Sequence, residues 1–435
     1  MSPAEPAFAD ARAARRAALA FDLGAPPAGF VDDPYPLYAA LREHAPVQRQ
    51  PDGSLLVCRH EALVAIYRDA AAFSSDKREV FRPVFGDSPL YAHHTTSLVF
   101  NDPPTHTRVR RIIVGALTPS AIARMEPGLV AGVDALLDAL AVEGAGGTGD
   151  GNGEVDLIER FAARIPIEVI GDLFGVPAAE RGPLRGWSLA ILGALEPRPD
   201  AATLARGDEA VRRFGAYLHA LAAARRRQPG DPETDVLTRL LGGGLDPETL
   251  VQNCIFILNA GHETTTNLIG NALALLEDRP EARAALLADP ALVGPAVDEC
   301  LRLESPNQLG NRLAVKACRI GDVDVSPGTN LHLGIGAANR DPVVFETPDE
   351  LRLDGRTGRH LAFGGGPHAC LGLNLARLEG RVAIGRFLAR FPDYALTARE
   401  RSPRLRFRGF VSLRARLRGA DPADGSGDRP VGTGR

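Results

Sequence analysis

Cys370 lies where a glycine-rich stretch gives way to a predicted helix, a position that suits a thiolate metal ligand. Three glycines, Gly364 to Gly366, precede it, and apolar residues recur at helical spacing from Leu371 onward. Unpaired backbone N–H groups at the start of a helix stabilise an anionic sulfur. The glycines permit tight turns and the close approach of a flat cofactor, and a thiolate among amide donors is a tunable ligand for iron. The alternative interpretation is a buried structural cysteine beside a glycine loop.

A second group of reactive side chains interrupts a long apolar stretch that predicts a helix over residues 247–276. Glu263 can relay protons and Thr264 can hold a hydrogen bond, as O–O bond cleavage in a site that excludes bulk water requires. His262 and Glu263 open like the zinc motif H-E-x-x-H, but Thr266 stands in place of the second histidine, so a zinc hydrolase is excluded. The alternative here is an ordinary capped or solvent-facing polar patch.

The elements that must position these residues are mostly helices. Helical spacing covers most of the chain, with long patterns at 119–142, 202–226, 247–276 and 371–391. Short alternating or β-branched pieces at 47–50, 55–58, 313–315, 323–325 and 407–417 predict small peripheral sheets. The sequence therefore predicts a mainly α fold with small β-sheets at its edge.

The run Phe363–Gly372 meets all six fixed positions of Phe-Gly-x-Gly-x-His-x-Cys-x-Gly and resembles the haem-ligand signature of the cytochrome P450 family, the haem-thiolate monooxygenases. Residues 260–265 are similar to that family's oxygen-activating segment. The resemblance covers Asp33 to Leu417, with its segments in family order. It implies the cytochrome P450 fold, with the haem between a long central helix and the cysteine-loop helix, and it implies haem b as cofactor and dioxygen as co-substrate.

The resemblance also implies roles for individual residues. Cys370 is the expected iron ligand, and Glu263 and Thr264 are the expected catalytic residues. Because buried propionates must be neutralised by hydrogen-bonded cations, basic residues are expected at the cofactor. The further cofactor-binding residues implied in this way are His106, Arg110, Ala260, Arg312 and His368.

Structural and substrate-binding residues follow from the same resemblance. Glu299 and Arg302 form an i, i+3 pair like the family's Glu-x-x-Arg core motif, with Arg356 as the expected third member. The predicted substrate contacts are Phe256, Asn259, Leu309 and Phe410. A loop over residues 81–98 adds His93 and His94, which are either substrate contacts or solvated side chains.

Composition limits the class of protein. With 435 residues, 45% hydrophobic residues and a net charge of −4, the chain is globular and is not expected to bind nucleic acid. Five scattered cysteines indicate neither a disulfide framework nor a zinc site, so a cytoplasmic location is expected. No segment has the apolar length of a membrane anchor, and we expect a monomer.

We predict a single haem-thiolate catalytic domain over residues 31–418, with a loose N-terminal leader at 1–30 and a disordered tail at 419–435. Residues 144–153 contain G-x-G-x-x-G at Gly144, Gly146 and Gly149. This segment follows a predicted helix rather than a strand, so we interpret it as a glycine-rich surface insertion and not a dinucleotide site.

The function implied is insertion of one atom of dioxygen into a C–H bond of a small organic substrate. No flavin or iron–sulfur segment accompanies the domain, so the electrons are expected from a separate ferredoxin and its NAD(P)H-dependent reductase. The alternatives are a peroxide-driven haem enzyme and a non-catalytic haem sensor or carrier. A docking face for an acidic donor is expected from five arginines near the cysteine loop, Arg108, Arg111, Arg359, Arg377 and Arg381.

Overall fold

The computed structural model describes residues 8–146, 153–355 and 358–417. The helices are α1 Ala11–Ala20, α2 Tyr35–His44, α3 His60–Arg68, α4 Arg78–Phe85, α5 Pro89–Thr96, α6 Thr105–Val114, α7 Pro119–Gly146, α8 Arg164–Phe174, α9 Leu184–Gly193, α10 Ala201–Arg227, α11 Val236–Gly242, α12 Pro247–Glu277, α13 Pro280–Ala288, α14 Val293–Leu303, α15 Ile335–Ala338 and α16 Leu373–Arg390. A π-helical turn, Ile158–Ala162, precedes α8. The predicted mainly α fold is confirmed.

The strands form small sheets beside the helices. They are β1 Val47–Arg49, β2 Leu55–Val57, β3 Phe73–Ser74, β4 Glu154–Asp156, β5 Leu309–Ala314, β6 Cys318–Ile320, β7 Val323–Val325, β8 Asn330–Gly334, β9 Ala395–Arg401 and β10 Phe410–Arg416. One sheet has the order β1-β2-β8-β5-β3, the second β4-β10-β9, and the third pairs β6 with β7. The β2–β8 pair is parallel and the other pairs are antiparallel.

Helix α12 is the central element of the main hydrophobic core. Asp246 caps its start by accepting the N–H of Thr249 at 2.9 Å, and Pro247 occupies the first turn. The helix packs against α8, α9, α10, α14 and α16, and most of its residues are buried. It is continuous through Gly261, so a polar segment can be carried through the interior on one rigid element.

The N-terminal segment corrects the expected loose leader. Within the described residues 8–30, α1 packs against α2, and Phe21, Leu23 and Phe30 are buried. The first turn of α1 is capped by Asp10, which accepts the N–H of Ala13 at 2.7 Å. Burial of these three apolar side chains, which follow α1 in the sequence, holds the segment in place.

Two further segments differ from the sequence-based expectation or lie outside the description. Residues 81–98, expected as a loop, include the end of α4 and all of α5. Of the expected glycine-rich insertion, residues 144–146 continue α7, and 147–152 lie outside the described residues. The expected disordered tail also lies outside them. None of the described helices combines the length and apolar character needed to cross a membrane.

Candidate active site

The cysteine loop is held against α3 by its glycines. Gly366 has a φ of +64°, and a Cβ there would come within 1.9 Å of the carbonyl oxygen of Tyr67. Glycine is therefore required both by the left-handed backbone conformation and by the close approach. The loop then returns on itself, because the N–H of Cys370 donates to the carbonyl oxygen of Phe363 at 2.9 Å. Helix α16 begins three residues after the cysteine.

Cys370 is half-buried and has both an amide donor and cations near its sulfur. Burial raises the pKa of its thiol, and the N–H of Gly372 and the charges of Arg110 and Arg377 act against that rise. Burial also raises the pKa of Cys58, to about 12, and there two arginines but no amide donor act against it. An amide donor and two nearby cations are the surroundings in which a thiolate acts as a metal ligand.

Four basic groups lie together beside the cysteine loop. The rings of His106 and His368 are 3.9 Å apart, and Arg110 and Arg312 are close enough to affect the pKa of His368. Burial, followed by Arg312, His106 and Arg110, lowers the pKa of His368 to about 3. Both ring nitrogens of His106 and Nε2 of His368 are buried without a hydrogen-bond partner in the described structure. The cluster therefore presents donors and positive charge to a shared space.

This cluster fits the expected haem propionates. Arg312 is 7% exposed, and none of the four groups forms an ion pair with a carboxylate among the described residues. Buried donors without partners are costly unless a ligand pairs with them. Two carboxylate groups on an otherwise apolar ring would satisfy them, and the thiol of Cys370 lies two residues from His368. Elsewhere in the described residues, no group of His, Cys, Asp and Glu side chains is arranged to hold a metal ion by itself.

Helix α12 has one accessible stripe in an otherwise buried surface. Its members are Phe256, Ile257, Ala260, Gly261 and Thr264, which recur at helical spacing and are half-buried or exposed. The hydroxyl of Thr264 donates to the carbonyl oxygen of Ala260 at 2.8 Å. Predicted residues Phe256, Ala260 and Thr264 therefore share one face, as a segment that receives dioxygen and substrate requires.

Glu263 lies just off this stripe and is 6% exposed. Its Oε1 accepts a hydrogen bond from Nη1 of Arg404 at 3.0 Å, and Oε2 has no partner in the described structure. Burial raises the pKa of Glu263, whereas Arg404 and Arg185 lower it. A carboxyl group with one anchored and one unpartnered oxygen is suited to exchange a proton. His262 is 2% exposed, and burial, followed by Arg185, lowers its pKa to about 4.

The Glu299–Arg302 pair is buried and bidentate. Nε and Nη2 of Arg302 donate to the two carboxylate oxygens of Glu299 at 2.7 and 2.8 Å. The third contact of Glu299 is the main-chain N–H of Arg352, at 2.9 Å. Arg356, the expected third member, lies outside the described residues.

Two of the predicted substrate contacts, Leu309 and Phe410, lie in the hydrophobic core. Leu309 is buried in the hydrophobic cluster that contains Phe21 and Leu41, so its side chain packs under α1 and α2. Phe410 is 5% exposed, stacks with Arg401 at 3.9 Å and packs toward Gly270, almost two turns beyond Thr264. Strand register in β5 and β10 turns each side chain into the core, and contact of Leu309 and Phe410 with substrate stays a prediction.

Asn259 is another predicted substrate contact, and only one end of its side-chain amide is hydrogen-bonded. It is 2% exposed, and its Oδ1 accepts the hydroxyl of Ser188 at 2.7 Å, so the side chain is tied to α9. Its Nδ2 has no partner in the part of the chain that the structure describes. His93 and His94 are buried in α5 rather than solvated, with Nδ1 of His93 bonded to Gln252 at 2.8 Å.

Sequence reasoning missed the arginines that follow β9. Arg404 binds Glu263, and Arg406 lines a cavity near α4. The signal in the sequence is the spacing of Arg404, Arg406 and Arg408 at every second position. In the structure, each of these three arginines has a buried hydrogen-bond partner.

The five arginines of the predicted docking face are in part committed to neighbours. Arg377 binds Asp298 at 2.7 Å and Arg381 binds Glu126 at 2.6 Å. The other three, Arg108, Arg111 and Arg359, are exposed and form no ion pair with a described residue.

Comparison with known proteins places the chain among haem-thiolate enzymes. The family model described as "Cytochrome P450" matches residues 287–415. Cytochrome P450 107B1 of Saccharopolyspora erythraea is 37% identical over 421 residues, which cover 92% of this chain and 97% of that protein. Vitamin D(3) 25-hydroxylase of Pseudonocardia autotrophica is 36% identical, covering 84% of this chain and 88% of the relative.

Solved structures agree with these relatives. P450BioI, in complex with an acyl carrier protein ligated to hexadec-9Z-enoic acid, matches with a TM-score of 0.83 and 31% identity, covering 89% of this chain and 98% of that one. CalO2 matches with a TM-score of 0.84 and 29% identity, covering 92% and 99%. The fold over 89% and 92% of the chain is therefore shared with these two proteins.

Proposed function

The chain belongs to the cytochrome P450 family of monooxygenases, whose cofactor is haem b and whose co-substrate is dioxygen, and on that premise we propose that it oxygenates a C–H bond of a small organic substrate. The observation that carries the proposal is the convergence of Cys370 with four basic groups that have no carboxylate partner in the described structure. We propose that Cys370 holds the iron and that His106, Arg110, Arg312 and His368 bind the propionates.

When bound, the haem supplies the chemistry that activates dioxygen and oxidises a C–H bond. The protein's part is to position, to exclude water and to deliver protons. Ala260 keeps one side of the α12 stripe small, and Thr264 places a hydroxyl one turn further along it. Glu263 holds a proton at Oε2 while Arg404 fixes Oε1. Phe256 offers an apolar surface on the same face for substrate.

The electrons come from a separate ferredoxin-type donor, reduced by an NAD(P)H-dependent reductase. Exposed Arg108 and Arg111 on α6, next to the cysteine loop, support a basic docking face. A groove of about 460 Å³ beside α16, lined by Asp298 and Arg377, offers a place for the donor to seat. The five cysteines are unpaired, which supports a reducing, cytoplasmic location. The expectations of a monomer and of no nucleic-acid partner stay predictions.

The iron-ligand assignment is tested by carbon monoxide difference spectra of the reduced holoprotein. Cys370→Ser removes the thiolate, so the red-shifted band typical of thiolate-ligated haem is expected to disappear. Cys318→Ser is the matched control, because Cys318 is also half-buried but lies in β6. If the two variants give the same spectrum as wild type, the assignment of Cys370 is wrong.

The electron source is tested by turnover with reduced ferredoxin and reductase, compared with peroxide alone. Arg111→Glu is expected to slow reduction by the ferredoxin several-fold at low salt, with a weaker dependence on ionic strength, since a steering charge is reversed. Arg49→Glu, an exposed arginine in β1, is the control. Product formation with peroxide but not with any reduced ferredoxin contradicts the proposal and supports a peroxide-driven enzyme.

A further inference from the structure

A cavity of about 690 Å³ lies between α4, the chain after α9, and strands β5 and β8. Phe81 and Phe85 of α4 and Leu195 after α9 form its apolar wall. The volume is in the range of small-ligand sites, roughly 300 to 1,000 Å³. The cavity is therefore large enough for an amphipathic molecule with an apolar body.

The opposite wall is polar and carries a cation. It includes Asn330 and His332 of β8 together with Arg406. Nε and Nη1 of Arg406 donate to main-chain carbonyl oxygens at 2.9 and 2.7 Å, and the guanidinium forms no ion pair with a described carboxylate. Nδ1 of His332, which is 7% exposed, has no hydrogen-bond partner in the described structure.

Lys77 lies behind this wall and adds a second basic side chain. It is 1% exposed, and its Nζ has a single long contact, 3.5 Å from Oδ1 of Asn330. Burial, then Arg312 and Arg406, hold the pKa of Lys77 well below its ordinary value. Lys77 forms no ion pair with a described carboxylate, so an anion bound in the cavity would offset both the burial of its amino group and the repulsion from the two arginines.

Two of the three carboxylates that line the cavity, Asp22 and Asp52, are occupied by other donors, whereas Oε1 of Glu196 has no partner in the described structure. Asp22 accepts from Arg198 at 3.5 Å and from a main-chain N–H, and Asp52 accepts from the N–H and hydroxyl of Ser54. Oε2 of Glu196 accepts two main-chain N–H groups at 2.9 and 3.2 Å, and burial raises its pKa, while Arg406 lowers it. None of the three forms an ion pair with Lys77 or Arg406.

We propose that this cavity binds the carboxylate of an amphipathic substrate, with the anion at Arg406 and His332, Lys77 acting on it from behind Asn330, and the apolar body against Phe81 and Phe85. The identification of the bound molecule as a substrate rests on the proposed function. A carboxylate with an apolar chain pairs with the donors at the polar end and packs against the apolar wall, whereas an alcohol accepts weaker hydrogen bonds from those donors and a cation accepts none.

The test compares three probes with the same chain, dodecanoate, dodecan-1-ol and dodecyltrimethylammonium, by isothermal titration calorimetry of the holoprotein. We expect dodecanoate to bind at least about tenfold more tightly than the alcohol, as charge-assisted hydrogen bonds predict, and the ammonium probe to bind most weakly. Equal affinity of acid and alcohol, or preference for the ammonium probe, overturns the proposal.

Variants locate the preference. Lys77→Met and Arg406→Gln are each expected to lower the acid-to-alcohol ratio several-fold while leaving affinity for the alcohol near wild type. Lys316→Met is the control, because Lys316 is exposed and lies just after β5. An unchanged ratio in Lys77→Met and Arg406→Gln overturns the proposal, as does a Lys77→Met variant that loses haem but keeps the ratio, since Lys77 would then serve a propionate. Acid preference without any turnover would support this inference and contradict the proposed function, so the two fail separately.

Discussion

Breaking the Glu299–Arg302 pair from either side is expected to have unequal effects. The two side chains are 1% and 2% exposed. Besides its bidentate contact with Glu299, Arg302 donates to the carbonyl oxygens of Asn339, Pro348 and Glu350 at 3.2, 2.6 and 2.7 Å. Arg302 therefore joins α14 to the chain that follows α15, whereas Glu299 mainly neutralises Arg302.

The magnitude follows from what each substitution leaves behind. Removing one member of a buried ion pair costs about 3–5 kcal/mol of the free energy of unfolding. Glu299→Gln leaves Arg302 bonded to three carbonyl oxygens, so its cost is expected at the lower end, about 3 kcal/mol. Arg302→Met also orphans those acceptors, each worth about 1–3 kcal/mol, so its cost exceeds about 5 kcal/mol. Since domains are stable by about 5–15 kcal/mol, Arg302→Met approaches the whole stability.

Urea unfolding of the holoprotein, followed by far-ultraviolet circular dichroism, measures these costs. Glu209→Gln is the control: Glu209 pairs with Arg212 and Arg213 on the surface of α10, where ion pairs contribute little, and no measurable change is expected. If Glu299→Gln is as harmless as Glu209→Gln, or if Arg302→Met is the milder of the two buried substitutions, the reasoning is refuted.

Three further predictions concern protons. Thr264→Ala is expected to lower the amount of product formed per dioxygen consumed. Thr266→Ala is the control and should not lower it, because Thr266 makes a similar hydrogen bond to a carbonyl oxygen one turn back but is buried. Equal coupling in the two variants contradicts the proton role of Thr264. Arg404→Gln removes the cation that most lowers the pKa of Glu263, so the pH dependence of turnover should move to higher pH, and an unchanged profile argues against the pair. Burial lowers the pKa of His262 to about 4 from its ordinary value of 6.5, so between these two pH values the unfolded state binds a proton that the folded state does not. The free energy of unfolding should therefore fall by up to about 1.4 kcal/mol for each pH unit below 6.5. In urea unfolding, the difference in stability between pH 7 and pH 5 should be smaller for His262→Leu than for the wild type.

Local sequence signals predicted the long helices well. Helix α12 was expected over residues 247–276 and runs from Pro247 to Glu277, because the Asp246 cap and Pro247 mark its start in the sequence itself. Helices α4 and α5 were missed, since Pro83 lies inside α4 and paired histidines in α5 suggested a solvated loop. In the structure, the ring of His94 is buried because it packs against Phe81, Phe85 and Phe100.

The candidate site divides in the same way. Residues inside short motifs, such as Cys370, His368 and Thr264, are predicted from spacing between neighbouring positions, and the structure brings the first two beside a basic cluster and puts the third on the accessible face of α12. The surroundings of Leu309 and Phe410 could not be predicted in this way, because the face that a strand residue occupies depends on register with partners far away in sequence: β5 pairs with β8, and β10 pairs with β4 and β9. A shift of one residue exchanges core and site.

The arginines after β9 show why this nonlocal part matters for specificity. Strict strand alternation would put Arg404, Arg406 and Arg408 on one face, but the chain bends at residues 405 and 406, and the three side chains separate. Arg404 reaches Glu263, Arg406 reaches the cavity, and Arg408 binds Glu304 at 2.7 Å. One short segment thus contacts Glu263, the cavity and the buried core. Arg404 also donates to the carbonyl oxygen of Leu189 in α9, and Arg406 donates to that of Leu195, so the positions of these arginines depend on contacts that no local spacing encodes.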